Sequence, residues 1–208
     1  MLGGVELLAD GVEGDHAGAL ERRTELAIDE GHALGERVPR RDLLAGRLAG
    51  GVGPFDRIDL GEWEATMRVN VTGVFHMCRA AVGPMRERET ASIVNISSLA
   101  AVFGLPNALH YTTSKAAVLG ITRGLARELG RYFIRVNAIA PSAVLTEGTD
   151  EFFAEGRARA LDVIASQQAL RRNLEPFDVA GTVIHLLSDE SRLVTAQTLM
   201  VDGGTVAT

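Results

Sequence analysis

The chain has 208 residues, a net charge of −6, 46% hydrophobic and 23% charged residues, and one cysteine. That is enough chain for a single well-filled domain, and an acidic balance argues against a nucleic-acid footprint or attraction to an anionic membrane. No apolar run of eighteen residues and no charged-then-apolar leader is legible, the five histidines lack ligand spacing for a metal, and the lone Cys78 excludes an internal disulfide, which suits a reducing cytoplasm.

The first fifty residues read poorly. Ala19 to Ile28 has the pattern of an amphipathic helix, but residues 19 to 47 hold no strand-like run. Gly14 and Gly18, then Gly46 and Gly50, have a G-x-x-x-G spacing without an apolar strand ahead of them, and Leu7-Leu8-Ala9-Asp10 is a short lead-in. With 23 glycines in the chain, such pairs arise by chance.

From Gly61 to about Arg88, Trp63, Met67, Val71, Val74, Phe75, Cys78 and Val82 recur at helical spacing, with Pro84 marking a kink near the end. Cys78 within this helix reads as a small buried hydrophobe. Ser92 to Ser98 reads as a buried strand, followed by a loop from Leu99 to Leu109. A helix then carries Tyr111 and Lys115 and stops at Gly130. Ile134 to Ile139 is the next strand. Pro176 to Leu187 is a helix, and Ala196 to Val201 a last strand ending at Asp202-Gly203-Gly204. Helix, strand, helix, strand with apolar strands predicts a parallel sheet covered on both faces.

Chemistry concentrates on the middle of the chain. Tyr111 and Lys115 are four apart and leave one helix face a turn from each other. An ammonium beside a phenol favours the phenolate and lowers a pKa that is ordinarily near 10, toward the range useful for acid–base work. Ser98, at the carboxyl end of a strand, sits where open α/β sheets bind ligands. Reducing a carbonyl creates alkoxide character, so an acid and a second donor should converge on that oxygen, and Tyr111 and Ser98 supply them. Asn70 in a helical run is either a satisfied structural amide or part of this group. A Tyr-x-x-x-Lys spacing alone is weak, since both are ordinary solvated-face residues. His110 adjoins Tyr111; lining the site is one reading of it, and a structural or exposed histidine is the preferred one.

Five segments carry a resemblance: Val69-Asn70-Val71-Thr72-Gly73-Val74-Phe75, Ile93-Val94-Asn95-Ile96-Ser97-Ser98, Tyr111-Thr112-Thr113-Ser114-Lys115-Ala116-Ala117, Arg135-Val136-Asn137-Ala138-Ile139-Ala140-Pro141 and Val201-Asp202-Gly203-Gly204. In that order, from about Gly53 to Gly204, the chain resembles the short-chain dehydrogenases/reductases. The resemblance implies a Rossmann-like, doubly wound parallel α/β sheet in one domain over 1–208, with 53–208 as its catalytic part. It implies an oxidoreductase that interconverts an alcohol and a carbonyl by hydride transfer with NAD or NADP, on a small-molecule substrate.

By the same resemblance Tyr111 is the acid/base, Lys115 holds the nicotinamide ribose and tunes Tyr111, Ser98 steadies the substrate oxygen, and Asn70 holds a relay water. Pro141, Val144 and Thr146 contact the nicotinamide; Ser142 stands where the family has Gly, which suggests a reshaped loop because Ser reaches positive φ at a cost. Thr149 to Gln168, with Phe152 and Phe153, resembles a mobile substrate lid, and those two Phe equally suit anchoring a short helix. Ala196 stands at another frequent Gly with little expected effect. A homodimer or homotetramer formed through the C-terminal region, and a cytoplasmic setting, complete what the resemblance implies. The apolar run Leu99-Ala100-Ala101-Val102-Phe103 hints at a hydrophobic substrate.

The family's Gly-rich cofactor turn and its Asn-Asn-Ala-Gly segment are missing from residues 1–52. A frame shifted upstream of about Gly53 or a decayed paralogue is the preferred explanation, and a true variant with a reduced cofactor half is the third. On either of the first two, the alternative function is an inactive relic that cannot hold the dinucleotide, or an oligomerisation partner of an intact relative. The residue that distinguishes NAD from NADP falls in this unmatched stretch.

Overall fold

A computed structural model describes residues 5–8, 52–146 and 156–206. The Gly14/Gly18 and Gly46/Gly50 pairs, the helical pattern from Ala19 to Ile28, and Phe152 and Phe153 lie outside the described residues.

Three strands form the parallel part of the sheet: β2 (Ala91–Ile96), β3 (Ile134–Pro141) and β4 (Thr198–Val201), with β2 pairing β3 and β3 pairing β4. A short β1 (Val5–Leu8) pairs antiparallel with the other edge of β2, giving the order β1-β2-β3-β4. The lead-in around Leu7 and Leu8 is therefore a strand, although an antiparallel one.

Side-chain alternation along β2 and β3 builds two cores. Ala91 and Ile93 of β2 and Ile134 and Val136 of β3 face Cys78, Ala81, Met85, Ala126 and Leu129. Val94, Ile96 and Ile139 point the other way, onto Leu174, Val179, Val183 and Leu186. The first layer comes from α2 (Gly73–Met85) and α4 (Leu109–Leu129), the second from α6 (Pro176–Leu187). Between β2 and α4 lies a short α3 (Ala100–Phe103), inside the stretch expected to be a loop. α5 (Arg157–Gln167) follows β3. Cys78 is 1% exposed, and burial pushes its thiol up to about 12, so it behaves as the small hydrophobe expected.

The long helix expected over Gly61 to Arg88 is interrupted. Asp59 caps α1 (Leu60–Met67) by accepting from the Gly61 N–H at 2.8 Å. A π-helical turn over Arg68–Thr72 then separates α1 from α2. Such an insertion widens the helix locally and is frequent at functional sites. Pro84 is tolerated within the last turn of α2, so the break falls at the π turn and not at the proline.

Gly130 does not stop α4 by turning left-handed. It stays right-handed and leads into a short 3-10 turn that ends at Phe133, whose φ is +56°. At the far end of the sheet Arg135 closes the structure, donating to Leu186 O at 2.7 Å, Ser191 Oγ at 2.8 Å and Ser188 O at 3.1 Å. It thereby ties β3 to the open carbonyls at the C-terminus of α6. Among the described residues no helix is long and apolar enough to cross a membrane, and no group of three His, Cys, Asp or Glu could hold a metal ion.

Candidate active site

The carboxyl ends of β2 and β3 lie beside the first turns of α4, and the sequence candidates gather there. β2 ends at Ile96, so the next residues, Ser97 and Ser98, leave the sheet at its mouth. Ser97 is buried and donates to Lys115 O at 2.8 Å, pinning α4 to the strand end. Ser98 remains partly exposed and accepts from the Ala100 N–H at 3.2 Å, which starts α3.

Lys115 is only 5% exposed and its Nζ donates to Ile96 O at 3.2 Å. An ammonium carries three N–H donors. Among the described residues that carbonyl is its one hydrogen-bond acceptor, so donors remain for hydroxyls of a bound ribose. Burial without a counter-charge holds Lys115 down at about 8. The nicotinamide-ribose half of a dinucleotide therefore fits the residues present.

Tyr111 stands one turn before Lys115, with Nζ 5.8 Å from the centre of its ring. Its pKa moves opposite to the sequence-based expectation. Desolvation raises it, and the opposing influence is a side-chain hydrogen bond with Ser98, not the ammonium. At this separation, with Lys115 itself desolvated, burial decides the sign. Ser98 is the hydrogen-bonding neighbour of the Tyr111 side chain.

Asn70 is 3% exposed in the π turn, and its Nδ2 donates to Ser114 Oγ at 2.9 Å. Ser114 Oγ in turn donates to Tyr111 O at 2.8 Å. The π turn is thereby fastened to the segment of α4 that carries both Tyr111 and Lys115. His110 is fully buried, and burial lowers its pKa while Glu62 opposes this. It is a neutral core side chain, not an exposed one.

Pro141 closes β3, and the chain beyond it runs along a second segment. Val144 bridges Leu174, the Leu145 N–H donates to Leu174 O at 2.8 Å, and the Ser142 N–H donates to Val201 O at 3.0 Å. Ser142 is absent from the left-handed residues, which are Asn107, Phe133, Arg171 and Ala196 among the non-glycines described. A serine at this position needs no strained backbone. Ala196, by contrast, has φ +62°, a backbone conformation that carries strain for an alanine.

Sequence reasoning passed over Ser97, Ser114 and the Ile96 carbonyl. Ser114 lies three residues after Tyr111, and a helical serine at that spacing could have been read as bonding back to the preceding turn. The Ile96 carbonyl left no signal, because a backbone acceptor has no residue type.

A family model described as enoyl-(acyl carrier protein) reductase matches residues 34–206. The chain belongs to the short-chain dehydrogenase/reductase family. The match starts at residue 34, upstream of the Gly53 boundary read from motifs. Over 156 residues the chain is 43% identical to the 3-alpha-(or 20-beta)-hydroxysteroid dehydrogenase of Mycobacterium tuberculosis, covering 75% of this chain and 56% of that protein. Over 145 residues it is 39% identical to a 3-oxoacyl-[acyl-carrier-protein] reductase of Thermotoga maritima, covering 70% and 57%. The chain thus spans little more than half the length of these curated short-chain dehydrogenase/reductase relatives. A solved structure of 4-hydroxyisoleucine dehydrogenase complexed with NADH superposes with a TM-score of 0.69 at 30% identity, covering 77% of this chain and 67% of that one. The fold is accordingly the Rossmann-like α/β fold of this oxidoreductase family, in agreement with the motif reading.

Proposed function

We propose that this chain acts as an NAD(P)-dependent oxidoreductase interconverting an alcohol and a carbonyl, with Tyr111 as the acid/base. The observation that carries this reading is the Tyr111–Ser98 pair standing beside a buried Lys115 ammonium with donors to spare. When bound, the nicotinamide dinucleotide supplies or accepts the hydride.

Every other part of the step belongs to the chain's own residues. Tyr111 gives its proton to the substrate oxygen in reduction and takes it back in oxidation, while Ser98 donates to the same oxygen. Lys115 holds the nicotinamide ribose through the donors that Ile96 O leaves free. Asn70, anchored on Ser114, is assigned the water that passes the proton onward. Pro141, Val144 and Thr146 line the nicotinamide from the end of β3.

Val102 and Phe103, 45% and 60% exposed on α3 just past Ser98, favour a substrate with an apolar body around its carbonyl. A cytoplasmic setting, a single domain over 1–208 and a homodimer or homotetramer belong to the same reading.

Purified protein is titrated with NAD(H) and NADP(H) while its unfolding is followed, then given a panel of ketones and alcohols that includes steroids. Saturating cofactor, at about a hundredfold its Kd, should stabilise the fold by about 2.7 kcal/mol. Nicotinamide absorbance should change only when both substrate and cofactor are present. A flat melting response to both cofactors, with no turnover on any substrate, would reject the proposal.

A further inference from the structure

Beyond the reaction itself, one buried side chain sits where nothing in the chemistry requires it. Gln168 follows α5 and is 2% exposed. Its Nε2 donates to Ser142 Oγ at 3.3 Å, and its Oε1 is buried with no hydrogen-bond partner among the described residues. A buried amide oxygen left unpaired costs stability, so an apolar side chain of similar size would serve better if filling space were the only task.

What surrounds Gln168 shows what it holds. Residues 168 to 174 run as a strap between the loop after β3 and the turn after β4. On one side the strap receives the Leu145 N–H at Leu174 O, 2.8 Å, besides the bond from Gln168 to Ser142. On the other, the Leu170 N–H donates to Gly203 O at 3.0 Å. Gly203 and Gly204 have φ of +62° and +83°. A Cβ on Gly203 would collide with Gln168 Oε1, and one on Gly204 would come within 3.0 Å of the Ala169 Cβ. The two glycines leave the room into which the strap's first residues fit. Asp202 fixes their turn by accepting from the Gly204 and Val206 N–H groups at 3.0 and 2.9 Å.

We propose that Gln168 is a positioning residue that locks the strap to Ser142 and thereby sets the loop Pro141 to Thr146 for cofactor binding. The inference rests on the assignment of that loop to the nicotinamide under the proposed function. Ser142, the residue after Pro141 in that loop, supplies the hydroxyl that Gln168 grips. The lock acts on the shape of the loop, so its loss weakens cofactor binding and leaves the proton-transfer groups on α4 in place.

The test compares the full chain with Gln168→Leu and Ser142→Ala, each of which removes the Nε2–Oγ bond by a different route. Hydrogen exchange of the free protein is read at the Leu145 and Leu170 amides, and NADH and NADPH are titrated against each variant. The expected result is faster exchange at those two amides and a Kd about three- to tenfold higher, the range expected for one neutral hydrogen bond. At saturating cofactor kcat should change by less than Kd does, and the melting temperature of Gln168→Leu should not fall. Unchanged exchange at both amides, or unchanged Kd in both variants, overturns the lock. If Gln168→Leu does not fold, Ser142→Ala carries the same comparison alone. Wild-type protein that binds neither cofactor defeats the proposed function, and the exchange data then decide separately whether the lock exists.

Discussion

Asn70 and Ser114 are joined across the site by a 2.9 Å hydrogen bond from Nδ2 to Oγ, linking the π turn to the helix that carries Tyr111 and Lys115. Both side chains are buried, and Ser114 passes the connection on to the Tyr111 carbonyl. The bond joins residues 44 apart in sequence and fastens the π turn to the backbone of the turn that carries Tyr111. A double-mutant cycle of Asn70→Ala and Ser114→Ala in denaturant unfolding should give a coupling of about 0.5–1.5 kcal/mol, the usual net worth of a buried neutral hydrogen bond. Additive effects would mean that the two side chains stabilise the fold independently.

Stability should depend on pH through Lys115. Folded, it titrates at about 8, against an ordinary 10.5, because burial disfavours its charge. Between these values the unfolded chain holds the extra proton, so stability rises with pH across that window; below about 8 the full penalty applies. The window is worth at most roughly 3 kcal/mol. Tyr111 reverses the trend at its top: its raised folded pKa means that the unfolded chain loses the phenol proton first, above about 10. Denaturant unfolding at pH 7, 8, 9 and 10 should show the rise in the wild type and its loss in Lys115→Met. A parallel pH profile in the two proteins would mean that Lys115 is not desolvated.

Two left-handed residues store strain that glycine would relieve. Ala196 has φ +62° and Arg171 has φ +45°. Left-handed backbone costs an ordinary residue about 1–2 kcal/mol, and glycine gives part of that back through its larger unfolded-state entropy. Ala196→Gly and Arg171→Gly should each stabilise by about 0.5–1 kcal/mol net, raising the melting temperature by about 1–4 °C. Ala196 also packs against the core formed by α2, α4, β2 and β3, so its gain should be the smaller if that methyl contact matters. A lower melting temperature in both would show that the side chains contribute more than the strain costs.

What the sequence makes legible is what local spacing encodes. Tyr111 and Lys115 share a face because four residues make a helical turn, and Ser98 reaches the sheet mouth because a buried strand ends just before it. The apolar runs of β2 and β3 announce strands covered on both sides, and the two cores bear this out. The π turn escapes such reading, since the apolar spacing from Trp63 to Val82 continues through it. Asn70–Ser114 and Gln168–Ser142 escape because their partners are 44 and 26 residues away. The raised Tyr111 pKa escapes because spacing gives proximity to Lys115 but not the burial that outweighs it.

Comparing wild type with Tyr111→Phe at saturating cofactor, by single-turnover hydride transfer to a ketone the wild type reduces, reaches the reacting proton most directly. The phenylalanine ring keeps the packing and removes the one proton that Tyr111 contributes. Cofactor Kd within about twofold of wild type, with the hydride-transfer rate down by about 10²–10⁴, is the expected result for loss of a positioned acid. A variant that binds cofactor and still transfers hydride at the wild-type rate would contradict the assignment of Tyr111 as the acid/base.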